Sequence, residues 1–448
     1  MPAIITDPFK KFVIQHLYDD VFDSAQPYYY IGIGRSQDWD SADTVVTPTR
    51  NSREERNFRL NLQSVKRTEL VTFVIPRYNW VAGTIYSGYD DATVGIPSNT
   101  YYVLTDNNSV YMCLQQGKDA TGAPVASVNK PSSVSTAPFK TADGYVWKFL
   151  YTISGIKASR YLTANYIPIQ LQSTTDSSST AIEIEQYNVQ QAAVAGSISS
   201  IKVTAGGTGY TSAPSVSIVG NGSNARATAT VSGGTVVKID IDDSAGTFLM
   251  GSGYDYANVV ITGVGTGATA RAVLSPQDGF GFDPRIDLKS SGIMFNARLE
   301  GAEGDDFIIG QDFRQIGLMK GLKYAGADSD YTATTGSALQ KIVLSSVASS
   351  FTADRTIQGA VSGAKAYVDR YDGDNSIIYF HQTETTGFTP FSNSESVVET
   401  NGSGAGVIDS ASLGDINIWS GDIHYIENRA AVERDAASIE DVKIVIQL

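Results

Sequence analysis

Cysteine and histidine are almost absent from this sequence. Cys113 is its one cysteine, so neither a disulfide nor a Cys-x-x-Cys metal site can form within a single chain. We expect Cys113 to be a small buried apolar residue in a protein that folds in a reducing compartment. His16, His381 and His424 lie in three different segments, and none has a partner at metal-ligand spacing. These scarcities argue against a metal centre.

Long apolar runs and positive charge are also scarce. No stretch of about 18 apolar residues occurs, which argues against a membrane-spanning segment. The chain has 33 Lys and Arg against 47 Asp and Glu, a formal net charge of −14. So acidic a surface repels phosphate, and we expect no broad nucleic-acid interface. The N-terminus lacks a basic segment followed by an apolar one, so no signal peptide is expected.

Catalytic motifs are lacking as well. There is no G-x-S-x-G elbow and no G-x-x-x-x-G-K-[ST] phosphate loop, although a triad assembled from distant residues stays open at this stage. Paired glycines such as Gly220 and Gly222 precede strand-like sequence, whereas a dinucleotide-binding loop precedes a helix. Acidic clusters that could serve a glycosidase or a calcium site occur at residues 19–20, 242–243, 303–306 and 369–374. We expect these acids to lie at ordinary turns, and we predict no enzyme, no cofactor and no metal.

Glycine and tyrosine, in contrast, are abundant, with 42 and 24 residues. They favour strands joined by tight turns, so the predicted fold is mainly β with some α/β. Residues 101–114 predict a hairpin. The residues at alternate positions from 145 to 151 are all aromatic, which predicts a strand with one aromatic face.

Two helices are predicted near the N-terminus. The first begins at Asp7 and Pro8 and places residues 9, 12, 13, 16 and 17 on one face. The second begins at a capping box formed by Ser52 and Glu55, and places Phe58, Leu62 and Val65 at helical intervals.

Arginines cluster on the second predicted helix. Arg50, Arg53, Arg56 and Arg59 are followed by Lys66 and Arg67, with only Glu54 and Glu55 opposing them. This pattern favours a solvated helix face. The sharper hypothesis is a surface on which the four arginines dock an acidic partner through bidentate contacts.

An internal repeat occupies the middle of the chain. Gly207-Thr-Gly-Tyr210 and Gly220-Asn-Gly222 recur about 44 residues later as Gly251-Ser-Gly-Tyr254 and Gly263-Val-Gly265. Each copy predicts short strands with Gly-rich turns, and two copies could pair into a small sandwich or barrel. A fainter pair, at residues 362–366 and 403–406, also precedes strand-like sequence.

Several segments resemble the baseplate wedge subunit of T4-like contractile-tailed phages, the gene product 8 family. The likeness covers roughly residues 1–172, 277–325 and 413–448. The segments that carry it include Tyr30-Ile-Gly-Ile-Gly34, Val74-Ile-Pro-Arg77, Gly83-Thr-Ile-Tyr86, Thr141-Ala-Asp-Gly-Tyr-Val-Trp-Lys148, Asp312-Phe-Arg-Gln-Ile-Gly-Leu318, Tyr425-Ile-Glu-Asn-Arg429 and Glu440-Asp-Val-Lys-Ile-Val-Ile446.

The resemblance implies a non-enzymatic virion protein of the tail baseplate, made in the host cytoplasm, that forms a homodimer and joins other wedge subunits. It implies β-sandwich parts flanked by mixed α/β layers, with inserted small β modules. The expected domains are a core at 1–172, a linker at 173–196, an inserted β-repeat module at 197–275, a return to the core at 276–330, a second inserted β module at 331–412 and C-terminal core strands at 413–448.

Two other functions stay open from the residues. The β repeats carry Tyr210, Tyr254 and Tyr256 near Gly-rich turns, where aromatic faces could stack on sugars. This favours a tail-associated carbohydrate-binding or adhesin module as the alternative. A cell-wall hydrolase would need two of the acidic clusters in one cleft.

Overall fold

The computed structural model describes residues 6–23, 27–49, 51–68, 70–93, 100–244 and 246–448. Strands make up 43% of it and helices 11%, which confirms the mainly-β prediction. The chain forms two compact units. Unit 1 is built from Thr72–Met294 with the terminal segments Met1–Gln15 and Ile446–Leu448, and unit 2 from His16–Val71 and Phe295–Val445.

The described helices and strands have the following bounds. The helices are α1 (Asp7–Phe22), α2 (Ser52–Leu60), α3 (Gly155–Tyr161), α4 (Ala181–Gln191) and α5 (Pro284–Asp287), with a 3-10 turn at Glu303–Asp305. The first strands are β1 (Tyr29–Gly34), β2 (Leu62–Arg67), β3 (Leu70–Pro76), β4 (Tyr102–Leu104), β5 (Ser109–Gln115), β6 (Phe139–Lys140), β7 (Val146–Thr152), β8 (Tyr166–Pro168), β9 (Ile198–Thr208), β10 (Ser215–Gly220), β11 (Ser223–Ala225), β12 (Ala227–Ser232), β13 (Thr235–Ile241), β14 (Met250–Ser252), β15 (Ala257–Thr262) and β16 (Thr266–Leu274). The remaining strands are β17 (Gly292–Glu300), β18 (Gln311–Lys320), β19 (Thr335–Ser337), β20 (Gln340–Ser349), β21 (Thr356–Gly359), β22 (Lys365–Asp372), β23 (Ile377–His381), β24 (Ser396–Thr400), β25 (Ala405–Ser412), β26 (Asp422–Arg434) and β27 (Ile439–Gln447).

An aromatic sheet of order β4-β5-β7-β6 lies in unit 1. The hairpin predicted at 101–114 is confirmed, because β4 and β5 pair from Tyr102↔Met112 to Leu104↔Val110. Tyr145, Trp147 and Phe149 are fully buried in one cluster, together with Cys113. Tyr151 is also buried but lies outside that cluster, because the β5–β7 register shifts between Val110 and Tyr111. The predicted single aromatic face therefore holds for three of its four residues.

Helix α4 lies inside the segment predicted to be a linker, residues 173–196. Thr180 and Glu183 form a capping box at its start, in which each side chain accepts a hydrogen bond from the backbone N–H of the other residue. Val189 is buried within the aromatic cluster, and α4 packs against β7. Residues 181–191 of the predicted linker therefore form a short helix that buries an apolar side chain.

The internal repeat folds into a six-stranded sheet of order β10-β15-β16-β9-β13-β12, with β11 and β14 paired beside it in unit 1. The equivalent strands β10 and β15 pair with each other, Val216 opposite Ile261 and Ile218 opposite Val259. In the two copies, Val216 is equivalent to Val259 and Ile218 to Ile261. Exchanging the copies therefore converts each of these pairs into the other, so the module has an approximate internal two-fold axis.

Unit 2 contains a five-stranded sheet of order β19-β2-β1-β18-β26. Helix α2 buries Phe58 and Leu60. Phe58 belongs to a cluster that also includes Tyr30, Leu62, Val65, Met319, Leu322, Tyr331 and Ile416. Arg53 and Arg56, on the same helix, are exposed.

Both predicted helices differ from expectation in detail. Helix α1 begins at Asp7 as predicted, but Phe9 and Phe12 are 54% and 65% exposed, so the predicted apolar face is not buried at these positions. Helix α2 is capped by Asn51, whose side chain accepts from the Glu54 N–H, and not by Ser52. It ends at Leu60, and Leu62 and Val65 lie on strand β2 instead.

A closed barrel of order β20-β23-β22-β21-β24-β25 forms the second β module of unit 2. Its core is apolar and includes Ile342, Phe351, Ile357, Val368, Phe380, Phe391, Val397 and Ile408. The fainter sequence pair falls on equivalent positions, the β21–β22 and β24–β25 turns, and β21 pairs directly with β24. That this barrel and the repeat module are insertions into a core remains a prediction.

Candidate partner-docking surface

The predicted docking arginines fall into different environments. Arg50 lies outside the described residues. Arg53 and Arg56 are exposed on α2, whereas Arg59 is half-buried at the end of the same helix. Because these three side chains differ in exposure, they cannot serve one common role.

Arg59 is occupied within unit 2. Its Nη1 donates to the carbonyl oxygens of Ile418 (2.8 Å) and Ser420 (2.6 Å), and its Nη2 donates to that of Gly421 (2.6 Å). Burial lowers the pKa of this guanidinium, while the nearby acids Glu55 and Asp422 raise it. Arg59 thus binds the backbone of a turn in its own unit, and these contacts give no support to the prediction that it docks a partner.

The turn that Arg59 binds carries Trp419. Asn417 organises it, since its Oδ1 accepts from the Trp419 N–H (3.0 Å) and its carbonyl accepts from the Ser420 hydroxyl (2.5 Å). The Ser420 hydroxyl in turn accepts from the Lys323 N–H (2.9 Å). Trp419 nevertheless remains 53% exposed. A rigid turn thus presents a large aromatic side chain to solvent.

Arg56 lies beside this tryptophan. Its Cζ is 5.9 Å from the Trp419 ring centroid, and its Nε is 2.8 Å from Oε1 of Glu384. Both charged side chains of this ion pair are about half exposed, so the pair adds only about 0–1 kcal/mol to stability. A carboxylate on a partner could therefore replace Glu384 at little cost.

Phe388 completes the surface. It is 48% exposed and, with Trp419 and Arg59, lines a cavity of about 90 Å³. We call the set Arg53, Arg56, Phe388 and Trp419 the Arg56/Trp419 surface. Trp and Arg are the residue types most enriched where binding energy concentrates in protein interfaces.

The other cations of the predicted cluster are used internally. Lys66 Nζ lies 2.6 Å from Oε2 of Glu303. Arg67 donates to the Thr332 carbonyl (2.9 Å) and its Cζ lies 4.5 Å from the Tyr28 ring. Both residues lie on β2 and not on the predicted helix, so neither extends the docking surface.

The acidic clusters are dispersed among separate structural contacts. Asp20 accepts from Tyr29 Oη and Lys320 Nζ, both at 2.6 Å, and Asp243 pairs with Lys140 at 3.1 Å. Asp372 caps the turn between β22 and β23 by accepting from the Asn375 N–H (3.1 Å). Asp20, Asp243 and Asp372 thus each bind a neighbouring group within their own unit.

His381 has an acidic partner. His381 Nδ1 lies 2.6 Å from Oδ2 of Asp369, deep in unit 2. The Ser36 hydroxyl lies 3.5 Å from the other oxygen of Asp369, so it is not the partner of His381 Nε2. This arrangement differs from a nucleophilic triad, in which the hydroxyl hydrogen-bonds the far ring nitrogen of histidine.

The carbohydrate-binding alternative depends on tyrosines of the repeat whose rings could stack on sugars. Tyr210 and Tyr254 are instead buried, each 4% exposed, in the core of the repeat module. A Cβ at Gly222 or Gly265 would overlap Tyr254 or Tyr210 respectively, so each ring fills the space left by a glycine of the other copy. Only Tyr256, 59% exposed, keeps the predicted accessibility. The carbohydrate-binding alternative thus loses two of its three aromatic faces.

Cys113 is fully buried, as predicted, and burial raises the pKa of its thiol. Within the described residues, no group of three or more His, Cys, Asp and Glu side chains could hold a metal ion. No helix among the described residues is long and apolar enough to cross a bilayer.

Comparison of the sequence with protein-family models and with curated proteins finds no match.

No sequence pattern indicates that Phe388, Trp419 and Glu384 lie near Arg56. Trp419 follows Asn417 in a turn-forming segment, which is the one local signal for its exposure. Its position beside α2 depends on contacts between residues far apart in the chain.

Proposed function

We propose that this protein is a structural virion subunit, a baseplate wedge protein that forms a homodimer and joins neighbouring wedge proteins in a contractile phage tail. The observation that carries an assembly role is the Arg56/Trp419 surface, in which exposed arginines of α2 lie beside Trp419, on the turn that Arg59 binds. The particular assembly rests on the sequence resemblance to the gene product 8 family.

A preformed surface suits an assembly role. Fixing a side chain in advance reduces the entropy lost on association. Three charged hydrogen bonds from Arg59 hold the turn before any partner arrives, and Arg56 lies against the Trp419 ring. We infer that a partner presents a carboxylate to Arg53 and Arg56 beside an apolar group that covers Trp419.

Exposed apolar side chains elsewhere support the same role. On α1, Phe9 and Phe12 are more than half exposed, although large apolar side chains are usually buried in a folded chain. We propose that part of this apolar surface is covered in the homodimer. The acids and the Asp369–His381 pair satisfy one another locally, which favours a structural over a catalytic role.

The function is tested by co-expressing the full chain with the other wedge subunits of its phage. Size-exclusion chromatography with light scattering should give a homodimer for the protein alone and a larger complex with its partners. Negative-stain electron microscopy should then show wedge-shaped particles of constant composition. A protein that stays monomeric and co-purifies with no wedge subunit would overturn the proposal.

A further inference from the structure

A second cavity lies in unit 1. It has a volume of about 320 Å³ and is open to solvent. This size lies near the lower end of the range for small-molecule sites. Its walls are mainly apolar and include Pro138, Val194, Phe248, Leu249, Met250 and Phe280.

One cation lies in this apolar wall. Lys148 lines the cavity, yet the residue is only 2% exposed. Its Nζ donates to the carbonyl oxygen of Thr136, which is also in the wall. Among the described ion pairs, none includes Lys148, although an ammonium group can donate three hydrogen bonds. Burying a charge without a counter-ion is costly, so the ammonium favours any anion that can reach it.

The nearest acid does not supply that counter-ion directly. The Oδ2 of Asp287 accepts from the Gly281 N–H at 2.7 Å, and Asp287 is completely buried. Burial raises the pKa of Asp287 to about 8, which favours its neutral form at pH 7. Burial lowers the pKa of Lys148 to about 8, so the amine is still mainly protonated at pH 7.

Gly281 packs closely against the Lys148 side chain. A Cβ at Gly281 would lie 2.8 Å from Lys148 Cε, closer than carbon atoms can pack, so a larger residue would displace the lysine. Gly281 also has φ +90, a conformation that favours glycine. The backbone at this point therefore holds both Lys148 and Asp287 in place.

We propose that this cavity, the Lys148 cavity, binds a small apolar molecule that carries a carboxylate. The apolar part contacts Phe248, Met250 and Phe280, and the carboxylate accepts a charge-assisted hydrogen bond from Lys148 Nζ. The bound carboxylate supplies the counter-ion that the ammonium otherwise lacks. This inference is independent of the assembly role, since the cavity shares no residue with the Arg56/Trp419 surface.

The proposal is tested with octanoate and 1-octanol, which have chains of the same length but differ in charge. Isothermal titration calorimetry on the full chain at pH 7 should show octanoate binding about tenfold or more tightly than octanol, as a charge-assisted hydrogen bond provides. Lys148→Met should remove this preference while retaining the octanol affinity. Octanoate that fails to bind the wild type, or that binds Lys148→Met equally well, would overturn the proposal.

A second variant covers the case in which Lys148→Met fails to fold. Val194 is about half exposed at the cavity wall, so Val194→Trp can fill the cavity while keeping Lys148. Both ligands should lose at least about tenfold in affinity for this variant, because the apolar contacts are blocked. Unchanged octanoate binding by a folded Val194→Trp protein would place the ligand elsewhere and contradict the proposal.

Discussion

Gly32 lies directly opposite Gly317 on the paired strands β1 and β18, and the ring of Phe58 packs over the space that the two glycines leave. A Cβ at Gly317 would overlap the Phe58 ring, and one at Gly32 would lie 2.8 Å from Leu62 Cδ1. Both glycines belong to segments that resemble the wedge family, so this packing gives a physical reason for glycine in those segments. The same packing seats α2, and through Arg59 it positions the turn that carries Trp419.

Gly317→Ala should therefore destabilise unit 2. Overpacking of a full core costs about 1–3 kcal/mol, and the displaced ring would disturb the seating of α2. Urea unfolding followed by tryptophan fluorescence should show a lower midpoint. Gly155→Ala is the matched control, because nothing lies within 4 Å of its Cβ position at the start of α3. Equal midpoints for the two variants would contradict the packing role of Gly317.

Arg59→Lys should weaken the turn at residues 418–421 even though it keeps the charge. A lysine amine lacks the planar fork with which Arg59 reaches three carbonyl oxygens. Losing hydrogen bonds from a charged donor costs about 1.5–3 kcal/mol. Hydrogen exchange measured by mass spectrometry should speed up in this turn, whereas the exposed Arg53→Lys should leave it unchanged. Slow exchange in Arg59→Lys would show that other contacts hold the turn.

The two-fold axis of the repeat module predicts matched effects at equivalent glycines. Gly222→Val should displace Tyr254, and Gly265→Val should displace Tyr210, because each glycine faces the tyrosine of the other copy. Both substitutions should lower the melting temperature of the module by similar amounts through overpacking. Differential scanning calorimetry measures this, and a large effect in one variant with none in the other would argue against the symmetric packing.

Glu395 should make the turn between β21 and β22 of the barrel, at Val361 and Ser362, sensitive to acid. Burial alone raises the pKa of this carboxyl, but hydrogen bonds outweigh burial, above all those from the Ser362 and Ser392 N–H groups, and lower the pKa to about 2. Since the folded pKa lies below the ordinary value, the stabilisation is complete above about pH 4.5 and is lost as the pH falls toward 2.

Exchange of the amide hydrogens at Val361 and Ser362, which both donate to Glu395 Oε2 at 2.8 Å, should therefore rise as the pH is lowered from 5 to 2, after correction for intrinsic exchange rates. Glu395→Gln should remove this pH dependence, because an amide does not titrate. A dependence that persists in the variant would assign the acid sensitivity to another group.

The features that could be predicted from the sequence are those set by neighbouring residues. The hairpin at 101–114 follows from turn residues between two β-rich runs, and the start of α1 follows from Asp7 and Pro8. The end of α2 could not be predicted, because Leu62 and Val65 continue the helical spacing of Phe58 although they lie on a strand. Apolar residues three and four apart fit either structure once the strand is buried on both faces.

The docking surface was predictable only in part. Arg53 and Arg56 are exposed, as the charge pattern indicated, but the role of Arg59 depends on Ile418, which lies 359 positions further along the chain. The burial of Tyr210 likewise depends on Gly265, a glycine of the other repeat copy. Local patterns contain no information on such contacts, which arise only when distant segments pack together.

The assembly role is tested most directly by reversing the charge of the two exposed arginines. Arg53→Glu/Arg56→Glu should leave the melting temperature nearly unchanged, since the Arg56–Glu384 pair adds little stability. Co-purification with the wedge subunits should fall at least about tenfold, because the variant repels a carboxylate that the wild type attracts. The matched control is Arg355→Glu/Lys365→Glu, which makes the same charge change at exposed positions on the barrel. If the α2 variant assembles as fully as this control, the Arg56/Trp419 surface is not the docking surface.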